Sequence, residues 1–224
     1  MVRWARRTAF GRAALGRTPF GGTGPNPSAG ADGAGAPKGP LGRASGALLR
    51  VEAFALTALM AVITGLILLN VVTRTAGMAL FWVDELAIYA MIWAVLIGAS
   101  MQLRLGAAIA VDLLPAALGA RGKRALRIVV AAIVLGFALA LGWLSWVWYD
   151  PLGLAAAGFD TGAFSGATFN FIYQEPTVTV GIPKFWIWLI VPVVAVAMSV
   201  HAAANLVDAV RDRPLPALEA LKAT

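Results

Sequence analysis

The chain has 224 residues, of which 60% are hydrophobic and 13% charged, with a formal net charge of +7 and no cysteine. That balance excludes an ordinary soluble domain and places the chain in a membrane. The missing cysteines exclude disulfides, thiol redox chemistry and iron–sulfur clusters ligated by this chain.

Residues 1–46 hold most of the Gly and Pro punctuation, as in GGTGPNPSAGADGAGAPKGP. Such a segment buries too little apolar surface to offset its ordering entropy, so a disordered basic tail is expected. The first apolar run starts only after this tail and is long enough to span, which reads as a membrane helix and not as a secretory signal. No apolar region follows Arg6 and Arg7 closely, as a twin-arginine signal would require.

Four apolar runs approach the roughly 20 residues that a helix needs to cross a bilayer: 53–72, 81–103, 128–148 and 185–206. Period-2 alternation is absent and open sheet edges cannot be satisfied in lipid, so the runs predict helices. The expected fold is an all-α membrane protein with four transmembrane helices over 47–210 and a cytoplasmic tail over 211–224.

The cations orient it, because Lys and Arg near span ends are retained in the cytoplasm. Eight precede the first span, five surround the second connection (Arg104, Arg121, Lys123, Arg124, Arg127) and three close the chain. The other face keeps Arg74 and Lys184, with Asp84, Glu85, Asp150, Asp160, Glu175 and an edge of tryptophans: Trp82, Trp143, Trp146, Trp148, Trp186 and Trp188. Both termini are therefore expected in the cytoplasm. Cations sorted by membrane side reflect topology and attraction to anionic membrane lipid, not nucleic-acid binding.

Between the second and third spans, LGAAIAVDLLPAALGARGKR carries Asp112 as its single acid, breaks at Pro115 and is too short to cross. It reads either as an interfacial helix on the cytoplasmic side or as a loop helix packed on its own bundle.

Reactive chemistry finds little support. His201 is the single histidine, so paired haem ligands are missing, and at i+4 it has only Asn205, a weak metal ligand. It reads as a polar residue near a helix end, touching a neighbour or a headgroup. Ser100, Ser145 and Ser199 lack a G-x-S-x-G elbow, and no G-x-x-x-x-G-K-[ST] loop is present. No catalytic residue, cofactor site or metal site is assigned, and the chain is not read as an enzyme. Four spans without an internal repeat are few for a self-sufficient carrier.

Polar residues at span ends remain. Asn70 and Arg74 share a helical face, and FWVDELAIYAMIWAVLIGA opens the second span with Asp84 and Glu85. A short connection brings Arg74 within reach of either acid, and a helix N-terminus favours negative charge. The plain role is capping and topology. The sharper one gives Glu85, which shares a face with Tyr89 and Ile92, a partly desolvated contact with Arg74 or with another subunit, and ranks Glu85 above Asp84.

Together these residues resemble the small permease subunits, DctQ type, of tripartite ATP-independent periplasmic (TRAP) transporters. The likeness runs from about Glu52 to Val210: Asn70 and Arg74 ending the first span, Trp82 with Asp84-Glu85 opening the second, Trp93, Gly98 and Ala99 within it, then Arg104 and GAAIAVDLL with Asp112, and finally GIPKFWIWLIVP. Ala108 stands where the family commonly has histidine, so no role of that histidine carries over. The 149–184 connection is also richer in Gly and Phe than the family's pattern, either as a contact for a periplasmic partner or as a lineage insertion.

The resemblance implies a non-enzymatic scaffold in the bacterial inner membrane. Its partners would be a much larger permease subunit that carries the substrate and sodium sites, and a periplasmic binding protein that delivers an organic anion such as a carboxylate or sugar acid. Asn70, Arg74, Trp82, Asp84, Glu85, Arg104 and Asp112 are its candidate interface or structural anchors. The competing reading is a membrane-anchor subunit of a respiratory or other enzyme complex.

Overall fold

The structure, a computed structural model, describes residues 39–106 and 119–213. These form α1 (Pro40–Thr75), α2 (Phe81–Leu105), α3 (Ala120–Tyr149), two short helices α4 (Pro151–Ala156) and α5 (Thr161–Thr168), then α6 (Phe185–Trp188) running into α7 (Ile190–Val210). Four helical stretches among the described residues are long and apolar enough to span a membrane: α1, α2, α3 continued by α4, and α6 with α7. The all-α, four-span expectation holds.

Two helices overshoot the apolar runs. Proline at the first helical position needs no N–H partner, which lets α1 begin at Pro40, ahead of the composition boundary at residue 46. Its 36 residues rise about 54 Å, well beyond a hydrocarbon core of about 30 Å. The third helix likewise begins at Ala120 and not at 128, so Arg121, Lys123, Arg124 and Arg127 ride on its first turns. Segments 1–38 and 107–118, with Ala108, Asp112 and Pro115, lie outside the described residues, as does 214–224.

Within the spans, side-chain hydroxyls return to their own helix, as Thr57 does to the Ala53 carbonyl at 2.8 Å and Ser145 to that of Leu141 at 2.7 Å. A hydroxyl that cannot reach water is satisfied this way. Gly106, at φ 62°, closes α2 in the left-handed conformation that glycine adopts without strain.

Packing centres on α7. It lies against α3, α2 and α1, while α1 packs chiefly on α2, and nothing comparable joins α3 to the first two helices. Buried small residues Ala195, Ala197, Ala202 and Ala204 let neighbours approach α7 closely. On the facing helix Ala138 is fully buried, and a methyl on Gly142 would touch Ala195 at 3.9 Å. A larger cluster of Ile97, Ile190 and Val194, flanked by Leu56, Leu59 and Trp93, joins α1, α2 and α7. By contrast Phe54, Leu68, Ile133, Phe137, Val193 and Val196 face outward, the surface expected of helices solvated by lipid or by another membrane protein.

Candidate functional site

The polar groups of the bundle gather at its two ends. At one end, called the tail face because the described residues begin and end there, α7 presents His201, Asn205 and Asp208 on successive turns of one side. Ser45 and Glu52, two turns apart on α1, bracket the imidazole: Ser45 Oγ lies 2.7 Å from Nδ1 and Glu52 Oε2 lies 2.9 Å from Nε2. A ring that donates from Nε2 to Glu52 and accepts the Ser45 hydroxyl at Nδ1 satisfies both nitrogens. All three side chains are buried, and Glu52 Oε1 has no partner. Serine, histidine and a carboxylate in series resemble an acyl-transfer relay. Yet Ser45 is fully enclosed on a helix, so no substrate reaches its hydroxyl. The cluster is a latch between α1 and α7.

The next turn of α7 holds α2. The guanidinium of Arg104, 4% exposed, donates to Asn205 Oδ1 and, at 2.9 Å, to Asp208 Oδ2. Asn205 in turn donates to the Leu103 carbonyl at 2.7 Å. From α3, Arg124 donates to the Val210 carbonyl, while Arg127 pairs with Asp212 and reaches the Arg213 carbonyl at 3.3 Å. Cations placed on the last carbonyls of a helix oppose its negative end. One end of α7 is thus clasped by three helices.

The opposite end, the loop face, is organised by the two acids, and they divide the work. Arg74 donates from Nε to Asn70 Oδ1 and from Nη2 to Asp84 Oδ2, each at 2.8 Å, and the Asn70 amide donates to Asp84 Oδ1. This triangle pins α1 to α2. With the Arg74 and Asp84 side chains 59% and 39% exposed, it contributes roughly 0.2–1 kcal/mol.

Glu85 does not take Arg74. Its carboxylate accepts the backbone N–H groups of Val178 and Thr179 at 2.7 Å and of Val180 at 3.2 Å, the Thr179 hydroxyl, and the Tyr89 hydroxyl at 2.9 Å. Those amides sit at the tip of a tight hairpin: Thr177 N–H donates to the Ile182 carbonyl and Lys184 N–H to that of Glu175, both at 2.8 Å, and the Lys184 ammonium pairs with Glu175 at 2.6 Å. Successive amides converging on one carboxylate form a strong anion cradle. The shared face of Glu85 and Tyr89 is as expected; the partner is a loop 93 to 95 residues away.

Between hairpin and spans lies an aromatic layer. Tyr173 packs edge-on against Phe185 at 5.2 Å, Phe164 at 5.6 Å and Tyr149 at 6.3 Å, and donates to the Tyr149 carbonyl at 2.6 Å. Burial, aided by the nearby negative charge of Asp150, pushes the Tyr173 phenol above its ordinary pKa and keeps it a donor. Tyr149 donates to the Phe185 carbonyl and Trp93 Nε1 to that of Ile187, both at 2.8 Å, at the junction of α6 and α7.

Among the anchors expected from sequence, the structure brings Asn70, Arg74 and Asp84 together, sends Glu85 to the hairpin, buries Arg104 against α7 and leaves Trp82 exposed in the first turn of α2. Asp112 lies outside the described residues. Ser45, Glu52 and Asp208 escaped notice; the available signal was the polar row His201, Asn205, Asp208 on an otherwise apolar helix. Among the described residues, no group of three His, Cys, Asp or Glu side chains could hold a metal ion.

The sequence model of the DctQ component of tripartite ATP-independent periplasmic transporters matches residues 63–212, well over half of the chain. The chain belongs to this DctQ family. It is accordingly a small membrane subunit of a TRAP transporter. No curated protein matches it significantly. The DctQ match includes His201, Arg104, Asp208 and both acids of the loop face, whereas Ser45 and Glu52 lie before its start.

Proposed function

We propose that this chain is the scaffold of a TRAP transporter in the bacterial inner membrane. It positions a much larger permease subunit that carries the substrate and sodium sites, while a periplasmic binding protein delivers an organic anion, a carboxylate or sugar acid, for sodium-driven uptake. The DctQ match over residues 63–212 carries the reading. The use of the polar groups supports it: among the described residues the buried ones tie helix to helix, and buried charges spent on such ties suit positioning better than ion coordination. By the cation distribution the tail face is cytoplasmic and the loop face periplasmic.

The test is reconstitution in sealed vesicles under a sodium gradient, with radiolabelled C4 dicarboxylates and sugar acids as probes. The chain alone is expected to leave every probe outside, and a tagged chain to copurify with the large subunit. Sodium-dependent uptake by the isolated chain would end the scaffold reading.

A further inference from the structure

We propose that segment 150–184 is a membrane-seated element, lying in the headgroup and upper acyl region of the leaflet at the loop face, with lipid as the occupant of its outward apolar surface. Calling that leaflet the periplasmic one rests on the orientation proposed above; the seating itself does not.

Charge is the first argument. The segment has four charged residues, and each is engaged at home. Asp150 caps α4 through the Gly153 N–H at 3.0 Å, Asp160 caps α5 through Gly162 and Ala163 at 2.8 and 3.1 Å, and Glu175 pairs with Lys184. Beside the exposed polar side chains of Thr168, Gln174, Glu175 and Thr179, the surface carries large apolar groups. Leu152, Phe159, Phe169, Phe171 and Val178 are exposed, with Phe159, Phe169 and Val178 at 73%, 82% and 86%. In water, so many large apolar side chains on a short segment would be a liability.

Backbone conformation is the second. Phe159 and Phe169 both have positive φ, 61° and 57°. A bulky residue in this region is strained, and the conformation persists where the surroundings impose it. Both rings are exposed, and neither takes part in the ring contacts of the aromatic layer around Tyr173.

Continuity with the spans is the third. Phe169 and Phe171 line one open cleft with Trp148 at the end of α3 and Trp188 at the end of α6. The polar side of the cleft is the paired Glu175 and Lys184 with Asn170, and the two tryptophans meet edge-on at 6.2 Å. Tryptophans at span ends mark the depth of the headgroups, so the phenylalanines of this cleft share that depth. The segment is also tied down, by Glu85 at the hairpin, by Tyr173 to Tyr149, and by the Asn170 amide to the Trp148 carbonyl at 2.7 Å. A face whose charges are capped or paired and whose phenylalanines stand beside an aromatic edge meets lipid, seated about 5–10 Å into the headgroup and acyl boundary, with the Glu175–Lys184 pair at headgroup level.

The absence of cysteine makes the test clean. Single-cysteine variants Phe159→Cys, Phe169→Cys and Val178→Cys of the full chain, with Gln174→Cys as the polar exposed reference, would be nitroxide-labelled and reconstituted in phosphatidylethanolamine–phosphatidylglycerol vesicles. Collision rates with oxygen and with an aqueous nickel chelate are then compared. Positions 159, 169 and 178 are expected to show oxygen-to-nickel ratios several-fold above that at 174. Ratios equal to that at 174 would overturn the seating. So would labels that lose nickel contact only when a periplasmic binding protein is added, because the surface would then dock protein. Should a phenylalanine variant fail to fold, Leu152→Cys and Val178→Cys, at unstrained positions, carry the same comparison. Labelling Gln174→Cys in intact cells with a membrane-impermeant thiol reagent reads the side separately, so a wrong orientation leaves the depth result standing.

Discussion

Replacing Asp208 should harm this protein more than replacing its partner Arg104, although the two form one ion pair. The Arg104 side chain is 4% exposed, whereas that of Asp208 is 17% exposed and nearer water. In Asp208→Leu a buried cation keeps only the Asn205 amide oxygen as acceptor, and its Nε already lacks a partner. Orphaning a buried charge costs about 3–5 kcal/mol, and the low end applies because Asn205 remains. Arg104→Met leaves an acid that is closer to solvent and less fully desolvated, a loss nearer 1–2 kcal/mol. The double variant, with no charge left to orphan, should recover most of the stability. At roughly 2–4 °C per kcal/mol for a chain of this size, thermal unfolding in lipid nanodiscs should fall by about 6–12 °C for Asp208→Leu and by about a third to two-thirds of that for Arg104→Met. A larger drop for Arg104→Met, or a double variant no better than the worse single one, would refute the asymmetry and with it the view that burial governs this pair.

Four further outcomes are expected. Glu85→Gln should free the hairpin and raise protease cleavage near Val178–Val180 several-fold, because a neutral amide is a weaker acceptor for converging N–H groups, while Asp84→Asn should leave that cleavage at wild type and loosen only the α1–α2 connection. His201→Leu should speed amide exchange over residues 40–52 by orphaning Glu52, and Glu52→Leu combined with it should restore protection; unchanged exchange in the single variant would remove the latch. Tyr173 has a raised pKa in the folded protein, so its stabilising bond is complete below the ordinary tyrosine value of about 10 and is lost as pH rises through the folded value; Tyr173→Phe should flatten that alkaline loss in a stability–pH profile. Reporter fusions after Arg213 should be active only as cytoplasmic reporters and fusions near Asp160 only as periplasmic ones, and the reverse pattern would refute the charge-based orientation.

The sequence by itself determined the class of fold and much of the family likeness, because both rest on local quantities. A bilayer imposes a length and an apolarity on each span, and these are written in consecutive residues, so four spans and their helical nature needed no tertiary information. Helix ends were less legible: Pro40 and the charged turn at Ala120 extend helices past the apolar runs, since a helix continues beyond the bilayer wherever its overhang finds partners. Local geometry also foretold that Glu85 and Tyr89 share a face and that Asn70 and Arg74 meet.

What only the tertiary structure decided is which polar groups pair across long separations. Whether Arg74 takes Asp84 or Glu85 depends on a hairpin some ninety residues away that offers Glu85 converging amides, and nothing near Glu85 in the chain announces them. His201 reads as a bland helix-end residue until α1 brings Ser45 and Glu52 to its two nitrogens from 156 and 149 residues away. In an apolar bundle a buried polar group must find a partner, but its own sequence neighbourhood does not say which helix supplies it. Helix packing makes that choice, and here it made α7 the element that the other three spans hold.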